Sequence, residues 1–209
     1  MATDYHSIVL LYESFLAEHG DSHFAVGWPN LNDAHKRYTV MLDLLRGNQG
    51  TILDFGCGCS GLLDFANSKG IKINYSGLDL SEKFLSTSKK KYPQINYYNT
   101  DVLREDLGCS FDYVLMNGVL TVKNDLDFDS MWDYSKKLIK KVFDICDVGI
   151  AFNLMSKNVD WERDDLFHVP IELLDNFLYK NLSRNRIIRQ DYGLYEYTVY
   201  VYKRPFDIQ

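Results

Sequence analysis

The sequence predicts an α/β protein in which helices cover both faces of a mostly parallel sheet. Three observations support this prediction. From Thr51 onward, strand patterns and helix patterns alternate, as in chains built from βαβ units. The first strand runs into a glycine-rich turn at residues 56–61, and a helix pattern follows it. The last two strand patterns are separated by the turn 192–194, which is short enough for an antiparallel hairpin.

Two helices are predicted before the first strand. In residues 5–19, apolar side chains recur at helical spacing, and Gly20 closes the run. Residues 20–30 have the composition of a loop, and a second helix is expected over about 32–46. We therefore expect residues 1–47 to form an N-terminal helical cap.

Beyond the cap, strands and helices alternate without a linker or a low-complexity segment. The predicted strands are 51–55, 73–79, 95–99, 111–117, 148–154, 185–190 and 195–203. The predicted helices are 60–69, 81–91, 128–146 and 170–181. A chain of 209 residues suits one domain that buries roughly 70% of its unfolded surface. We expect a single domain over 1–209, with its α/β core at 50–203.

Charge and composition exclude several partner classes. The net charge is −6, which disfavours a nucleic-acid-sized basic surface. One basic cluster at 136–141 has helical spacing and suits a solvated helix face better than an anion site. No apolar stretch approaches membrane-spanning length. We expect neither nucleic acid nor membrane as a partner.

The cysteines and histidines indicate neither disulfides nor a metal. Cys57, Cys59, Cys109 and Cys146 show no C-x-x-C spacing, and two of them lie inside the glycine turn. The five histidines show no H-x-x-x-H or H-E-x-x-H spacing. The N-terminus has no signal-peptide pattern. We therefore expect reduced thiols, no metal and a cytoplasmic protein.

The glycine turn is the first candidate binding element. Gly56, Gly58 and Gly61 form a G-x-G-x-x-G pattern, which lets the backbone approach a ligand closely. Proteins that bind NAD(P), FAD or S-adenosylmethionine (SAM) all use versions of it. The pattern alone therefore leaves the ligand open.

Three acids at successive strand ends narrow the choice. Asp54 precedes the glycines, and Asp79 and Asp101 end the next two strands, at the edge where α/β sheets bind ligands. Asp79 is placed to accept from two ribose hydroxyls, and Asp101 from an adenine amine. Each acid alone could instead cap a helix, although Ser81 is a better cap than Asp79 for the helix that follows.

Further contacts are expected around the same ligand. Asp54 would orient the glycine turn or bond the cofactor's amino group, directly or through water. Leu80 and Val102 would sandwich the purine.

These residues carry a family resemblance. Asp54-x-Gly56-x-Gly58, Asp79, Asp101 and the stretch 111–120 resemble the ordered motifs of class I SAM-dependent methyltransferases. The resemblance covers about 50–203. It implies a Rossmann-like seven-stranded sheet of order 3-2-1-4-5-7-6 with the last strand antiparallel, and SAM as cofactor, released as S-adenosylhomocysteine (SAH). It also implies three more cofactor-binding positions, namely Cys57, Asn117 and Gly118.

Five further strings resemble a narrower group. Residues 19–22, 26–28, 37–38, 163–166 and 191–196 are similar to a set of small bacterial methyltransferases, many of them encoded among surface-polysaccharide genes. We expect a small-molecule acceptor, with an oxygen of a sugar, sugar-nucleotide or polysaccharide precursor as the leading choice. The sequence does not fix the acceptor atom, because methylation of a nitrogen or of a phosphate-type oxygen would need the same cofactor pocket.

The cap supplies candidate cofactor contacts. Tyr5, Tyr12 and Trp28 would close over the cofactor, with ordinary core or lid packing as the alternative. Arg37 would bind the cofactor carboxylate as a fork. Its alternative is a surface ion pair with Asp33 or Asp43.

On the acceptor side, His168 is the candidate general base. An alcohol acceptor needs such a base, whereas a phosphate or carboxylate acceptor does not. The alternative is a partly buried histidine beside Pro170. Arg163, Tyr195 and Glu196 are the candidate acceptor-binding residues.

Three other functions compete with this interpretation. A short-chain nicotinamide reductase needs a Tyr-x-x-x-Lys pair, and no tyrosine here has a lysine four residues later. An amino-methylating DNA enzyme carries an Asn/Asp-Pro-Pro-aromatic turn, where this chain has 117–120 as Asn-Gly-Val-Leu. An inactive scaffold would not be expected to keep the glycines and acids.

Overall fold

The computed structural model describes residues 5–205, so residues 1–4 of the predicted cap lie outside the described part. One eight-stranded mixed sheet forms the centre of the described chain. Its strands are β1 (Thr51–Phe55), β2 (Asn74–Leu78), β3 (Asn96–Tyr98), β4 (Phe111–Met116), β5 (Cys146–Ser156), β6 (His168–Val169), β7 (Arg186–Arg189) and β8 (Glu196–Tyr202).

The strand order is β3-β2-β1-β4-β5-β8-β7, with β6 paired to the end of β5. Strands β1 to β5 pair in parallel, and β8 runs antiparallel to both β5 and β7. Apart from β6, this is the predicted order 3-2-1-4-5-7-6. The additional strand forms because β5 extends to Ser156, two residues beyond its predicted end. Met155 and Ser156 thereby become free to pair with His168 and Val169.

The α-helices are α1 (His6–His19), α2 (Leu31–Leu42), α3 (Gly61–Ser68), α4 (Glu82–Lys91), α5 (Phe128–Asp144) and α6 (Ile171–Asn181). Short 3-10 helices occupy His23–Val26, inside the predicted loop, and Asp43–Leu45, where the predicted second helix tightens. None of the described helices is long and apolar enough to cross a membrane. The four cysteines are free thiols.

Hydrophobic cores cover the two faces of the sheet. Neighbouring residues Ile52 and Leu53 of β1 are fully buried in different clusters, as the two-residue repeat of a strand requires. The Leu53 cluster includes side chains of α5 and α6, and the Ile52 cluster includes side chains of α2 and α3. The sheet is therefore buried on both faces, as predicted.

Tyrosines of β8 attach the cap to the sheet. The Tyr200 hydroxyl donates to the Val40 carbonyl at 2.5 Å, and the Tyr202 hydroxyl donates to the Leu44 carbonyl at 3.1 Å. These bonds tie α2 and the short helix after it to the antiparallel side of the sheet.

Candidate functional site

A first cavity of about 810 Å³ lies at the carboxyl ends of β1, β2 and β4, beneath α1. Eight of the residues proposed from the sequence line it: Tyr5, Tyr12, Trp28, Gly56, Gly58, Asp79, Leu80 and Gly118.

The backbone of the glycine turn has a conformation that would be strained for residues other than glycine. Gly56 and Gly58 have φ of +75° and +53°, in the region that favours glycine. A Cβ on Gly56 would lie only 2.6 Å from the Val119 Cγ2 atom. The turn is held to β2, because the amides of Gly56 and Cys57 both donate to the Leu78 carbonyl, at 2.7 and 3.0 Å.

Asp79 fixes the turn and faces the cavity. Its Oδ2 accepts from the Gly58 amide and its Oδ1 from the Ser81 amide, each at 2.9 Å. Each oxygen keeps a further lone pair for a ligand. Burial raises the Asp79 pKa to about 6. Ser81, as expected, caps α4 through its own hydroxyl.

Asp101 is engaged by the cap. The Tyr5 hydroxyl donates to its Oδ2, the Leu103 amide donates to its Oδ1 at 3.1 Å, and Arg104 lies 3.3 Å away. Tyr5 lines the cavity and Asp101 does not, so Tyr5 stands at the position from which Asp101 was expected to read a purine. Val102 is 2% exposed and packs in the core, away from the cavity. The structure therefore does not bring Val102 to the ligand as the sequence suggested.

Asp54 and Cys57 lie beneath the turn rather than in the cavity wall. The Tyr75 hydroxyl donates to Asp54 Oδ2 at 2.9 Å, and Cys57 is buried. Burial raises the Asp54 pKa to about 7, although the Tyr75 hydrogen bond opposes the rise. Because Asp54 does not line the cavity, this geometry does not support a direct bond from its carboxylate to the cofactor's amino group.

Replacing Asp54 with asparagine should change how stability depends on pH. Because the Asp54 pKa is raised in the folded state, the folded protein keeps a proton on this carboxyl at pH values where the unfolded chain, above about pH 4, has released it. The stability from this group is thus present at low pH and lost as the pH rises through 7. The test is urea unfolding of both proteins at pH 5 and at pH 8. The difference in unfolding free energy, D54N minus wild type, should be more favourable to D54N at pH 8 than at pH 5 by at least about 1 kcal/mol. A difference between the two proteins that stays constant with pH would contradict this assignment.

Asn117 carries an unsatisfied buried amide. Its side-chain oxygen and nitrogen both lack a hydrogen-bond partner among the described residues. Such a group costs about 1–3 kcal/mol unless something satisfies it. Asn117 directly precedes Gly118 and Val119, which line the first cavity. The Asn117 amide itself is not part of the described wall of that cavity, so the structure does not bring it to a ligand there.

A second cavity of about 1370 Å³ adjoins the first. Tyr12, Val26 and Trp28 line both cavities. The second is bounded by the cap, the ends of β5 and β8, and the segment 157–166. All four acceptor-side candidates line it, namely Arg163, His168, Tyr195 and Glu196. It is also lined by polar and aromatic residues that the sequence analysis missed: Thr121, Asn153, Trp161 and Asp165.

His168 is poorly placed to act as a base. It is 5% exposed, and its Nδ1 lies 2.6 Å from the Ser156 carbonyl oxygen, which can only accept. Nδ1 therefore carries the proton, and Nε2 accepts from the Arg163 amide at 3.3 Å. Both ring nitrogens are occupied in this conformation, which favours the alternative of a buried structural histidine.

Arg37 has a partner that the sequence did not suggest. Its guanidinium binds both oxygens of Glu196, with Nε at 3.0 and 2.9 Å and Nη2 at 2.9 Å. The alternative of a surface pair with Asp33 or Asp43 is wrong, because those acids pair with Lys36 and Arg189. The fork proposed for a cofactor carboxylate is instead occupied by Glu196, in the second cavity.

Other charged and aromatic groups shape the second cavity. Arg163 pairs with Asp165 at 2.6 Å. Trp161 and Tyr195 are 71% and 63% exposed. One missed residue had a sequence signal, because Asn153 is the only strongly polar residue within the apolar stretch 150–155. No signal in the sequence marked Trp161.

Within residues 5–205, no group of three or more histidine, cysteine or acidic side chains is placed to hold a metal ion.

Comparisons with known proteins agree with this architecture. Residues 53–141 match the model of a family described as a methyltransferase domain. A candidate methyltransferase of Mycobacterium tuberculosis, Rv1506c, is 27% identical over 160 residues, which cover 73% of this chain and 93% of that protein.

Solved structures share the fold at low sequence identity. Magnesium protoporphyrin IX methyltransferase from Synechocystis, with bound SAM, has a TM-score of 0.64 at 17% identity and covers 97% of this chain and 99% of its own. The 1,6-didemethyltoxoflavin-N1-methyltransferase of Burkholderia thailandensis, with bound SAH, has a TM-score of 0.64 at 15% identity. The match covers 97% of this chain and 91% of that one. The described chain has the Rossmann-like α/β methyltransferase fold.

Proposed function

We propose that this chain, with its methyltransferase-domain match and fold, is a SAM-dependent methyltransferase that acts on a small molecule. The observation that carries the proposal is the pair of adjoining cavities. One lies at the glycine turn and Asp79, the other is open to a second reactant, and both share the wall formed by Tyr12, Val26 and Trp28. A cofactor in the first cavity and an acceptor in the second would therefore meet beside these three shared residues.

The first cavity suits SAM. Asp79 would accept from the ribose hydroxyls, the glycine turn would approach the cofactor backbone, and Leu80 would pack on the purine. Asp101 would reach the adenine amine if it shares its carboxylate with Tyr5 or exchanges that bond. Bound SAM supplies an electrophilic methyl group, and SAH is the product.

The chain contributes mainly positioning, because in-line methyl transfer depends on alignment of donor and acceptor. Trp28 and Tyr12 line both cavities, at the boundary where donor and acceptor would meet. Burial raises the Tyr12 pKa to about 12, against the opposing effect of a hydrogen bond with Thr121. The Tyr12 phenol therefore stays neutral at this boundary. His168 is assigned to holding the segment 157–166 through Ser156 and Arg163, and not to proton transfer.

The proposed acceptor is a hydroxyl oxygen of a sugar or of a sugar-linked precursor in surface-polysaccharide synthesis. As that oxygen takes the methyl group and SAH leaves, the hydroxyl proton would pass to the carboxylate of Asp165, which lines the second cavity. Two features of the second cavity support a neutral, hydroxyl-bearing ring. The arginines that line it, Arg37 and Arg163, are both neutralised by acids, which disfavours a phosphate or carboxylate at those positions. Exposed Trp161 and Tyr195 provide flat surfaces on which a ring can stack. The resemblance to the polysaccharide-associated group also supports a sugar acceptor. We propose that the reaction takes place in the cytoplasm.

A test of this function measures SAH release from SAM. The full chain would be incubated with hexoses, nucleotide sugars, a porphyrin and a flavin-like heterocycle as acceptors. We expect turnover with a sugar-bearing acceptor. Turnover with the heterocycles alone would refute the sugar assignment. SAH binding without turnover on any member of a broad small-molecule panel would count against small-molecule transfer.

Replacing Trp161 with alanine should weaken acceptor binding without slowing the bound complex. We expect KM for the acceptor to rise about fivefold, since an exposed stacking contact is worth about 1 kcal/mol, while kcat stays within twofold. Tyr179 is a matched control, because it is 60% exposed on α6 and lines neither cavity. An equal KM rise in Y179A, or none in W161A, would exclude Trp161 from the acceptor site.

A further inference from the structure

Five residues join the walls of the two cavities through a closed series of contacts. They are Trp28, Arg37, Gly118, Asn153 and Glu196, which we call the frame. Trp28 lines both cavities, Gly118 lines the first, and Arg37, Asn153 and Glu196 line the second. The frame therefore connects the wall of the second cavity to the wall of the first.

Hydrogen bonds form one half of the frame. Glu196, only 1% exposed, binds the Arg37 guanidinium through both oxygens. The Asn153 amide nitrogen donates to Glu196 Oε1 at 3.1 Å, and the Asn153 amide oxygen accepts from the Gly118 backbone amide at 2.7 Å. Asn153 is fully buried. These bonds connect α2, β8, β5 and the turn after β4.

Aromatic packing closes the other half. The Arg37 guanidinium carbon lies 5.4 Å from the centre of the Trp28 ring. The Trp28 indole packs on Gly118, where a Cβ would lie 3.5 Å from the ring. Gly118 has a φ of +82°, so its conformation also favours glycine. A change at Arg37 can thus reach Gly118 by two routes, through Trp28 and through Glu196 and Asn153.

Stability alone does not explain a buried ion pair in this place. Removing two charges from water costs about as much as their attraction returns, so apolar replacements are often as stable. A forked arginine and carboxylate do, however, fix geometry. Here the fixed geometry is that of Trp28 and Gly118, which lie where a 1 Å displacement can cost about 100-fold in rate.

We infer that Arg37 and Glu196 are positioning residues that couple the acceptor cavity to the cofactor cavity through Trp28, Asn153 and Gly118. Neither of the two lines the cofactor cavity, yet their loss should weaken cofactor binding. An acceptor that touches this pair would change the affinity for the cofactor through the same contacts. This inference rests on the proposed function, since SAM and SAH are the ligands of the first cavity.

The test uses SAH as the ligand and the full chain. Calorimetric titration of E196Q and R37M should give an SAH Kd raised about tenfold, within the roughly 5- to 150-fold range of coupled sites. In a background with Trp132→Phe and Trp161→Phe, the same variants should shift the Trp28 emission to the red. A purely structural ion pair would leave the SAH Kd unchanged in both variants, and it would leave the emission unchanged in E196Q, which keeps the Arg37 side chain beside the Trp28 ring.

A second ion pair serves as the control. Asp175 binds Arg186 through both of its oxygens, and neither residue lines a cavity, so D175N should leave the SAH Kd and the Trp28 emission unchanged. If E196Q or R37M does not fold, R37K keeps the charge but not the fork and should give an intermediate Kd.

Two results would overturn the inference in distinguishable ways. Folded variants whose SAH Kd stays within twofold of wild type would refute the coupling while leaving the proposed function intact. Wild-type protein that does not bind SAH would refute the proposed function, and the coupling with it.

Discussion

Replacing Asp79 with alanine should raise the Kd for SAM about 100-fold. The carboxylate faces the first cavity with a free lone pair on each oxygen while holding the Gly58 and Ser81 amides. A hydrogen bond to a charged group is worth about 1.5–3 kcal/mol, and the loss of one or two such bonds corresponds to roughly this factor. Wild-type affinity should also fall as the pH drops below about 6, because the raised pKa of Asp79 allows protonation there. D79A should lack that pH dependence.

The control for this variant is D64A, which removes a partly exposed acid of α3 outside the first cavity. Circular dichroism establishes that each variant is folded. An SAM Kd for folded D79A within threefold of wild type would remove Asp79 from the ribose site and leave it only the role of ordering the turn.

Replacing Gly56 with alanine should destabilise the protein by about 3 kcal/mol and abolish measurable SAM binding. A left-handed conformation costs a non-glycine residue roughly 1–2 kcal/mol, and the added Cβ would collide with Val119, adding about 1–3 kcal/mol of overpacking. Urea unfolding and SAM titration measure the two effects.

Two further variants separate strain from collision. Gly193 has a similar φ of +69°, but a Cβ added there would meet no atom within 4 Å, so G193A should show the conformational cost alone and bind SAM normally. The double variant G56A/V119A removes the collision and should recover part of the lost stability. Wild-type stability and SAM affinity in G56A would show that the turn does not need glycine there.

Local signals predicted much of the fold and the cofactor side of the site. Short apolar runs located the strands of the parallel sheet, because a strand that is buried on both faces carries apolar residues such as Ile52 and Leu53 at successive positions. The glycine turn and Asp79 were also found, since a parallel sheet brings successive strand ends to one edge. The strand order came from the family resemblance rather than from the pattern itself.

Long-range side-chain partners escaped sequence analysis. Arg37 and Glu196 lie 159 residues apart, and no local pattern marks such a pair. Tyr5 bonds Asp101 across 96 residues for the same reason. His168 was a plausible base by residue type, but only tertiary structure shows its two ring nitrogens occupied.

The central claim is that the first cavity binds SAM, and thermal unfolding with SAM, SAH and NADH in parallel tests it most directly. At 100 times its Kd, a ligand stabilises the folded state by about 2.7 kcal/mol, which for a chain of this size corresponds to a Tm rise of about 5–10 °C. The account predicts that SAM and SAH raise the Tm and that NADH does not. Stabilisation by NADH with no effect of SAM or SAH would contradict it.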